Sequence, residues 1–215
     1  AARPYAAEAL TCDEGELVFV DGIFSASGTN RSITIEDLVL RLVPDSGDHP
    51  FNIKHSYEPD GATYPYGCHI AEIEIDPATC DVNIMRYTVV DDFGAVINPL
   101  MLEGQIHGGI AQGIGQAIHE YAAFDEQGQL VAGSLMDYRL PRAADLPTFD
   151  IHFRSIPCKN NILGVKGSGE AGAIGAPQAV IAAVTDALGI AHIDMPATPA
   201  AIWQALQNKQ SGKVA

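Results

Sequence analysis

The sequence predicts an α+β fold in which mixed or antiparallel strands pack against helices. Three observations carry that reading. The run His69-Ile70-Ala71-Glu72-Ile73-Glu74-Ile75-Asp76 alternates apolar and polar residues with the period of a half-buried strand. Leu102, Ile106, Ile110, Ile114 and Ile118 recur at a spacing of four, an apolar stripe down one long helix. Strands and helices also fall in blocks, without the strict alternation of a parallel α/β sheet.

The elements follow in chain order. Arg3 to Leu10 reads as the tail of a helix, with no N-cap or methionine before it, so the chain is expected to be a segment of a larger polypeptide or a processed product. Leu17 to Phe24 reads as a short hairpin turning at Asp21-Gly22, a pair that suits the tight turns of hairpins. Thr34 is a candidate cap for a helix over Ile35 to Leu42, with Glu36 and Asp37 in its first turn. Pro44 to Pro50 reads as a polar loop, and a sub-boundary within residues 1–215 is expected near 50–60. The alternating strand then turns through Asp76 to Asp81 and returns as a second strand, Val82 to Asp91. Phe149 to Arg154 reads as a later strand. Helices are expected over Ala176 to Leu188, with Pro177 near the start and Gly189 just past the end, and over Pro199 to Leu206.

Composition excludes several function classes. Asp and Glu number 27 against 12 Lys and Arg, a formal charge of -15, so there is no cationic surplus with which to bind a nucleic-acid backbone. No run of eighteen purely apolar residues offers a membrane span, and the first residues do not form a signal peptide. The four cysteines, Cys12, Cys68, Cys80 and Cys158, form no C-x-x-C pair and read as reduced thiols. The seven histidines form no H-x-x-x-H pattern, so no metal site made by the protein alone is expected. An acidic, reduced chain is expected in the cytoplasm.

Two glycine-rich stretches are the informative part. In Asn98 to Glu120, five glycines (Gly104, Gly108, Gly109, Gly113, Gly115) interrupt one helix. Each costs roughly 0.5–1 kcal/mol against Ala, so something must approach this backbone closely. Either a second helix packs on the small residues, or a flat ligand lies on the face that gathers Gln105, Gly109, Gln112 and Gln116. In Gly164 to Pro177, a literal G-x-G-x-x-G runs from Gly167 to Gly172. A dinucleotide fingerprint is one reading, but only Leu163 to Val165 could serve as the preceding strand, and Glu170 would repel a pyrophosphate. The other reading is that Glu170, flanked by glycines on a turn that leads into a helix N-terminus, is an accessible general base. Lys166 stands beside it as a possible partner for an anion.

At these motifs the sequence resembles the large, molybdenum-binding subunit of the xanthine dehydrogenase, aldehyde oxidase and aerobic carbon monoxide dehydrogenase family. The resemblance rests on Tyr64-Pro-Tyr-Gly-Cys-His-Ile-Ala-Glu, Val90-Asp-Asp-Phe-Gly, Ile97-Asn-Pro, Glu103-Gly-Gln-Ile-His-Gly-Gly-Ile-Ala-Gln-Gly-Ile-Gly, Met136-Asp-Tyr and Gly164-Val-Lys-Gly-Ser-Gly-Glu-Ala-Gly. It implies the C-terminal half of a molybdopterin-binding domain, incomplete without the preceding half and inactive on its own. It implies molybdenum held by a pterin rather than by protein ligands, with a cytosine dinucleotide form of the cofactor in a bacterial source. Gln112 is implied as a cofactor contact, joined by Gln105, Gly108, Gly109 and Gln116 and by Lys166, Gly167, Ser168 and Gly169. Glu170 is implied as the catalytic base, taking a proton from the water-derived oxygen that attacks an electrophilic carbon of an aldehyde, N-heterocycle or similar small molecule. Iron–sulfur clusters and FAD are implied in partner domains or subunits of a higher oligomer. Many relatives place Gly where this hairpin turn has Cys80. A non-catalytic scaffold fragment packing on partner subunits remains the alternative, and a nicotinamide-dinucleotide domain a third.

Overall fold

The computed structural model describes residues 1–43 and 47–212, and the chain divides into two units, Ala1–Glu58 and Pro59–Ala215. The expected loop at 44–50 lies partly outside the described residues. In the first unit, α1 (Arg3–Leu10) is followed by β1 (Leu17–Val20), β2 (Ile23–Ala26), β3 (Ser32–Thr34) and α2 (Ile35–Arg41). The hairpin turns where the sequence indicates, with Asp21 and Gly22 at φ of 48° and 80°. β3 was not anticipated: three residues are too few for a periodic signal, and it adds to β2 as an antiparallel edge. Thr34 caps α2, its Oγ1 accepting from the Asp37 N–H at 3.0 Å. Leu10, Leu17, Phe24 and Leu38 form a small core of this unit's own.

The second unit is built on a three-stranded sheet in the order β4 (Tyr66–Ile75), β5 (Val82–Asp92), β6 (Phe149–Phe153). β4 and β5 pair antiparallel around the Asp76–Asp81 turn, where the Asp76 carboxylate accepts from the Ala78 N–H at 2.7 Å. Cys80 takes the left-handed conformation there, φ 61°, and buries its thiol. β6 pairs parallel with β5, so the sheet is mixed and the connection between them carries α3 (Pro99–Ile118). Asn98 caps α3, accepting from the Met101 N–H at 3.2 Å, with Pro99 at the first helical position. The predicted stripe is its core face: Ile106, Ile110 and Ile114 are fully buried.

The next helix, α4 (Ala171–Leu188), corrects the sequence reading in two ways. It begins five residues before Ala176, so Pro177 lies inside it. The glycines at its start conceal the helical pattern, yet they serve its packing, because they let α4 close onto α3 and onto His69 of β4. Its mean hydropathy of 1.3 over 18 residues also makes it long and apolar enough, by composition alone, to cross a membrane. The absence of an unbroken apolar run therefore did not settle the matter. In this fold its Ala176, Val180, Val184 and Leu188 are buried in the core with Ile106 and Ile110 of α3. Last, α5 (Pro199–Gln210) is capped by Thr198, and its Lys209 ammonium donates to the Leu188 carbonyl at the end of α4, 2.7 Å away.

Candidate functional site

The site forms where the end of β5, the start of α3 and the loop before α4 converge. Here β5 ends in two buried acids, Asp91 and Asp92, each 3% exposed. Asp91 lies across Gly67 of β4, and one of its oxygens is 3.6 Å from His69 Nε2. The other ring nitrogen of His69 is 2.7 Å from the hydroxyl of fully buried Tyr87. Burial, and then the nearby Asp91 charge, pushes the Tyr87 phenol far above its ordinary value. This network braces the sheet beneath α4.

Asp92 points the other way, into the loop. One of its oxygens accepts from the Gly94 N–H at 2.8 Å and the Ile156 N–H at 2.9 Å, while the other is 2.6 Å from the Lys166 ammonium. That ammonium also sits 4.3 Å above the centre of the Tyr66 ring. Burial alone would raise the Asp92 carboxyl, but Lys166 and the two amides outweigh it and hold it well below the usual carboxylate range. The bond to Asp92 raises Lys166 against the opposing effect of burial. Lys166, read from the sequence as a possible partner for an anion, is paired in this structure with Asp92.

The sign of the pH dependence follows. A depressed carboxyl contributes stability above its unfolded value of about 3.9 and loses it as pH falls; a raised lysine contributes below about 10.4 and loses it as pH rises. The stability difference between wild type and Lys166→Met, measured by chemical denaturation, is expected to stay level across about pH 5–10 and to shrink at both extremes. A difference that varied steeply between pH 6 and 9 would show that another group controls it.

Around this anchor the chain folds tightly. Gly164, at φ +67°, presents its carbonyl to the N–H groups of both Ala95 and Cys158, each at 2.9 Å, and the Lys166 N–H donates to Phe93 O at 2.9 Å. A cavity of about 410 Å³ opens alongside, lined by Phe93, Ile97, Met101, Gln105, Lys166 and Ser168 among others. Three of the residues expected from the sequence, Gln105, Lys166 and Ser168, thus meet here. The Gln105 amide nitrogen lies 3.9 Å from the point where a Cβ on Gly169 would sit. Glu170 follows at once as the N-cap residue of α4, exposed, with no side-chain cap bond. Its carbonyl accepts from the N–H groups of Ala173 and Ile174, both at 3.0 Å, so its backbone is fixed while its carboxylate stays unengaged.

Four of the five glycines of α3 divide into two sets. Gly109 and Gly113 face α4: a Cβ on Gly109 would be 2.9 Å from Gly172 Cα, and one on Gly113 would be 2.6 Å from Ala176 Cβ. Helix packing accounts for both, and Gly109 is turned away from the open face. Gly104 and Gly108 meet nothing within 4 Å, as does Gly167 on the opposite loop. Gln105, Gln112 and Gln116 are exposed along the same helix, with Gln112 and Gln116 beyond the cavity, towards the helix C-terminus. A larger groove of about 710 Å³ lies at that C-terminal end, lined by His119, Arg139 and Asp145, and it gathers none of the expected site residues.

Because α4 starts at Ala171, Gly167 to Gly172 does open a helix, but what precedes it is a single antiparallel bridge, Val165 to Gly94, not a strand of a parallel unit. Comparison with known proteins decides the family. Residues 1–147 match the model of the molybdopterin cofactor-binding domain. The chain belongs to that family. It is 34% identical over 213 residues to the carbon monoxide dehydrogenase large chain of Hydrogenophaga pseudoflava, covering 96% of this chain and 26% of that one. It is 35% identical over 210 residues to the nicotine 6-hydroxylase large subunit of Paenarthrobacter nicotinovorans, covering 93% and 26%. The crystal structure of a Cu,Mo-CO dehydrogenase superposes with a TM-score of 0.83 at 29% identity, covering 100% of this chain and 28% of that one. The chain therefore spans about a quarter of the length of these relatives.

The residues present fit a pterin cofactor. Gly104, Gly108 and Gly167 leave backbone accessible where any Cβ would project into open space, and glutamine amides on α3 supply both donors and acceptors for a heterocycle. Among the described residues no group of three or more His, Cys, Asp or Glu could hold a metal ion.

Proposed function

We propose that this chain forms one wall of the active site of a molybdenum hydroxylase, with Glu170 as general base. One observation carries the reading. An unengaged carboxylate, fixed only through its backbone, ends a glycine turn that comes up to Gln105 of α3, the helix on which Gly104 and Gly108 are open. When bound, the molybdenum–pterin group supplies the redox chemistry for hydroxylating a carbon with water-derived oxygen. Gln105 and Gln112 hold and orient its ring system, and Gly104, Gly108, Gly167 and Gly169 let it approach the main chain. Gln116, further along α3, would add a further amide contact to the cofactor, whose expected form is the cytosine dinucleotide. Glu170 accepts the proton released as oxygen attacks an aldehyde, N-heterocycle or similar small molecule. The electrons would leave through iron–sulfur and flavin groups in partner domains or subunits.

The scaffold reading loses its main support, because Gly109 and Gly113 pack on this chain's own α4 and are not free for a partner subunit. Elemental analysis of the native assembly, purified through a tag on this chain, tests the proposal. About one molybdenum per chain is expected, with iron in partner subunits, and Gln112→Ala is expected to lower pterin and molybdenum content together. An assembly free of molybdenum would overturn the reading.

A further inference from the structure

The Glu170 carboxylate has no anchor of its own, so its position depends on the main chain around it. Downstream, Gly172 is wedged against Ile106 and Ile110 of α3, only two residues away. Upstream, the turn runs through Gly167, which meets nothing within 4 Å, and through Gly169, which has only the Gln105 amide at 3.9 Å. The nearest firm point on that side is Lys166, bound through its N–H to Phe93 O and through its ammonium to Asp92. Asp92 in turn receives the Gly94 and Ile156 amides, so one carboxylate joins the end of β5, the segment after β6 and the turn that carries Glu170.

The geometry points to Asp92 and Lys166 as positioning residues that hold the 166–169 turn, and through it the main chain of Glu170, in place. This rests on the reading of Glu170 as base. A buried ion pair is poor evidence of a stabilising role, since apolar replacements often do as well; fixing a register is a use it is better suited to. Here the pair connects residues 74 apart in sequence, at the residue that leads into the glycine turn.

The test uses the complete molybdenum enzyme that contains this chain. In Asp92→Asn and in Lys166→Met, amide hydrogen exchange over residues 164–169 is expected to speed up by at least roughly tenfold, while the interiors of α3 and α4 keep their protection. Turnover is expected to fall roughly 10–100-fold, because a misplaced base loses alignment, with KM altered less than about twofold. The double variant should be no slower than the worse single, since the two side chains act as one unit, and Lys166→Arg should recover part of the loss. Unchanged exchange over 164–169, unchanged turnover in both single variants, or additive losses in the double variant would each overturn the proposal. If Asp92→Asn does not assemble, Lys166→Met carries the same test with both amide donors still on Asp92. Glu170→Gln separates the two ideas. If it retains full turnover, the base reading falls while the exchange data still report on the anchor; if it is inactive and the anchor variants are not, only the positioning role falls.

Discussion

Glu170→Gln in the complete enzyme is expected to lower turnover by about 10²–10⁴-fold while molybdenum stays bound. The substitution is nearly isosteric; it removes the carboxylate charge and with it the ability to take up a proton. The structure gives it little else to disturb. The side chain is exposed and forms no cap bond, and the Glu170 carbonyl, which the change leaves intact, accepts the first amides of α4. Folding stability should therefore stay within about 0.5 kcal/mol of wild type, as for an exposed side chain without partners. Steady-state kinetics with metal content measured on the same sample would decide the question. Full turnover at full molybdenum loading would remove Glu170 from the chemistry.

The second large effect is on the fold. Gly172→Ala adds a single methyl group, yet its Cβ would lie 2.7 Å from Ile106 O and 2.9 Å from Ile110 N, both main-chain atoms that cannot swing aside. α4 would have to lift from α3 along its length. Overpacking of this kind costs about 3 kcal/mol, offset by about 1 kcal/mol of helix propensity. Gly104→Ala and Gly108→Ala make the opposite case. Their Cβ atoms enter open space, so each is expected to raise stability by about 0.5–1 kcal/mol in the absence of cofactor. Urea midpoints of the variants would test the contrast, and a Gly172→Ala protein as stable as wild type would refute the packing account.

What was legible in the sequence follows from the range of the physics involved. The α3 stripe, the β4–β5 hairpin and the Asp21-Gly22 turn are local patterns, and each has the predicted place. The start of α4 was hidden because Gly172, Gly175 and Pro177 are poor helix formers, and tertiary contact with α3 and His69 overrides that preference. β6 was recognised as a strand, but its parallel pairing is set by the long return through α3, which no local pattern records. Lys166 was seen as a cation near Glu170, but its partner Asp92 is 74 residues away. Asp92 falls just past the end of the expected strand; two consecutive acids closing an apolar strand just before Phe93-Gly94 were the available signal. Of the five glycines on α3, one sequence pattern covers three situations: helix contact at Gly109 and Gly113, close approach of the Glu120 and Pro141 side chains at Gly115, and open surface at Gly104 and Gly108.

The contact of Gly109 with Gly172 has a genetic consequence. Both sides of it are main chain, so the facing helix offers no side chain that could be trimmed to make room. A damaged core usually admits compensation from a neighbour, a larger residue here matched by a smaller one there. At this notch the allele has no such partner, and a selection for suppressors of Gly172→Ala would return glycine at the same codon.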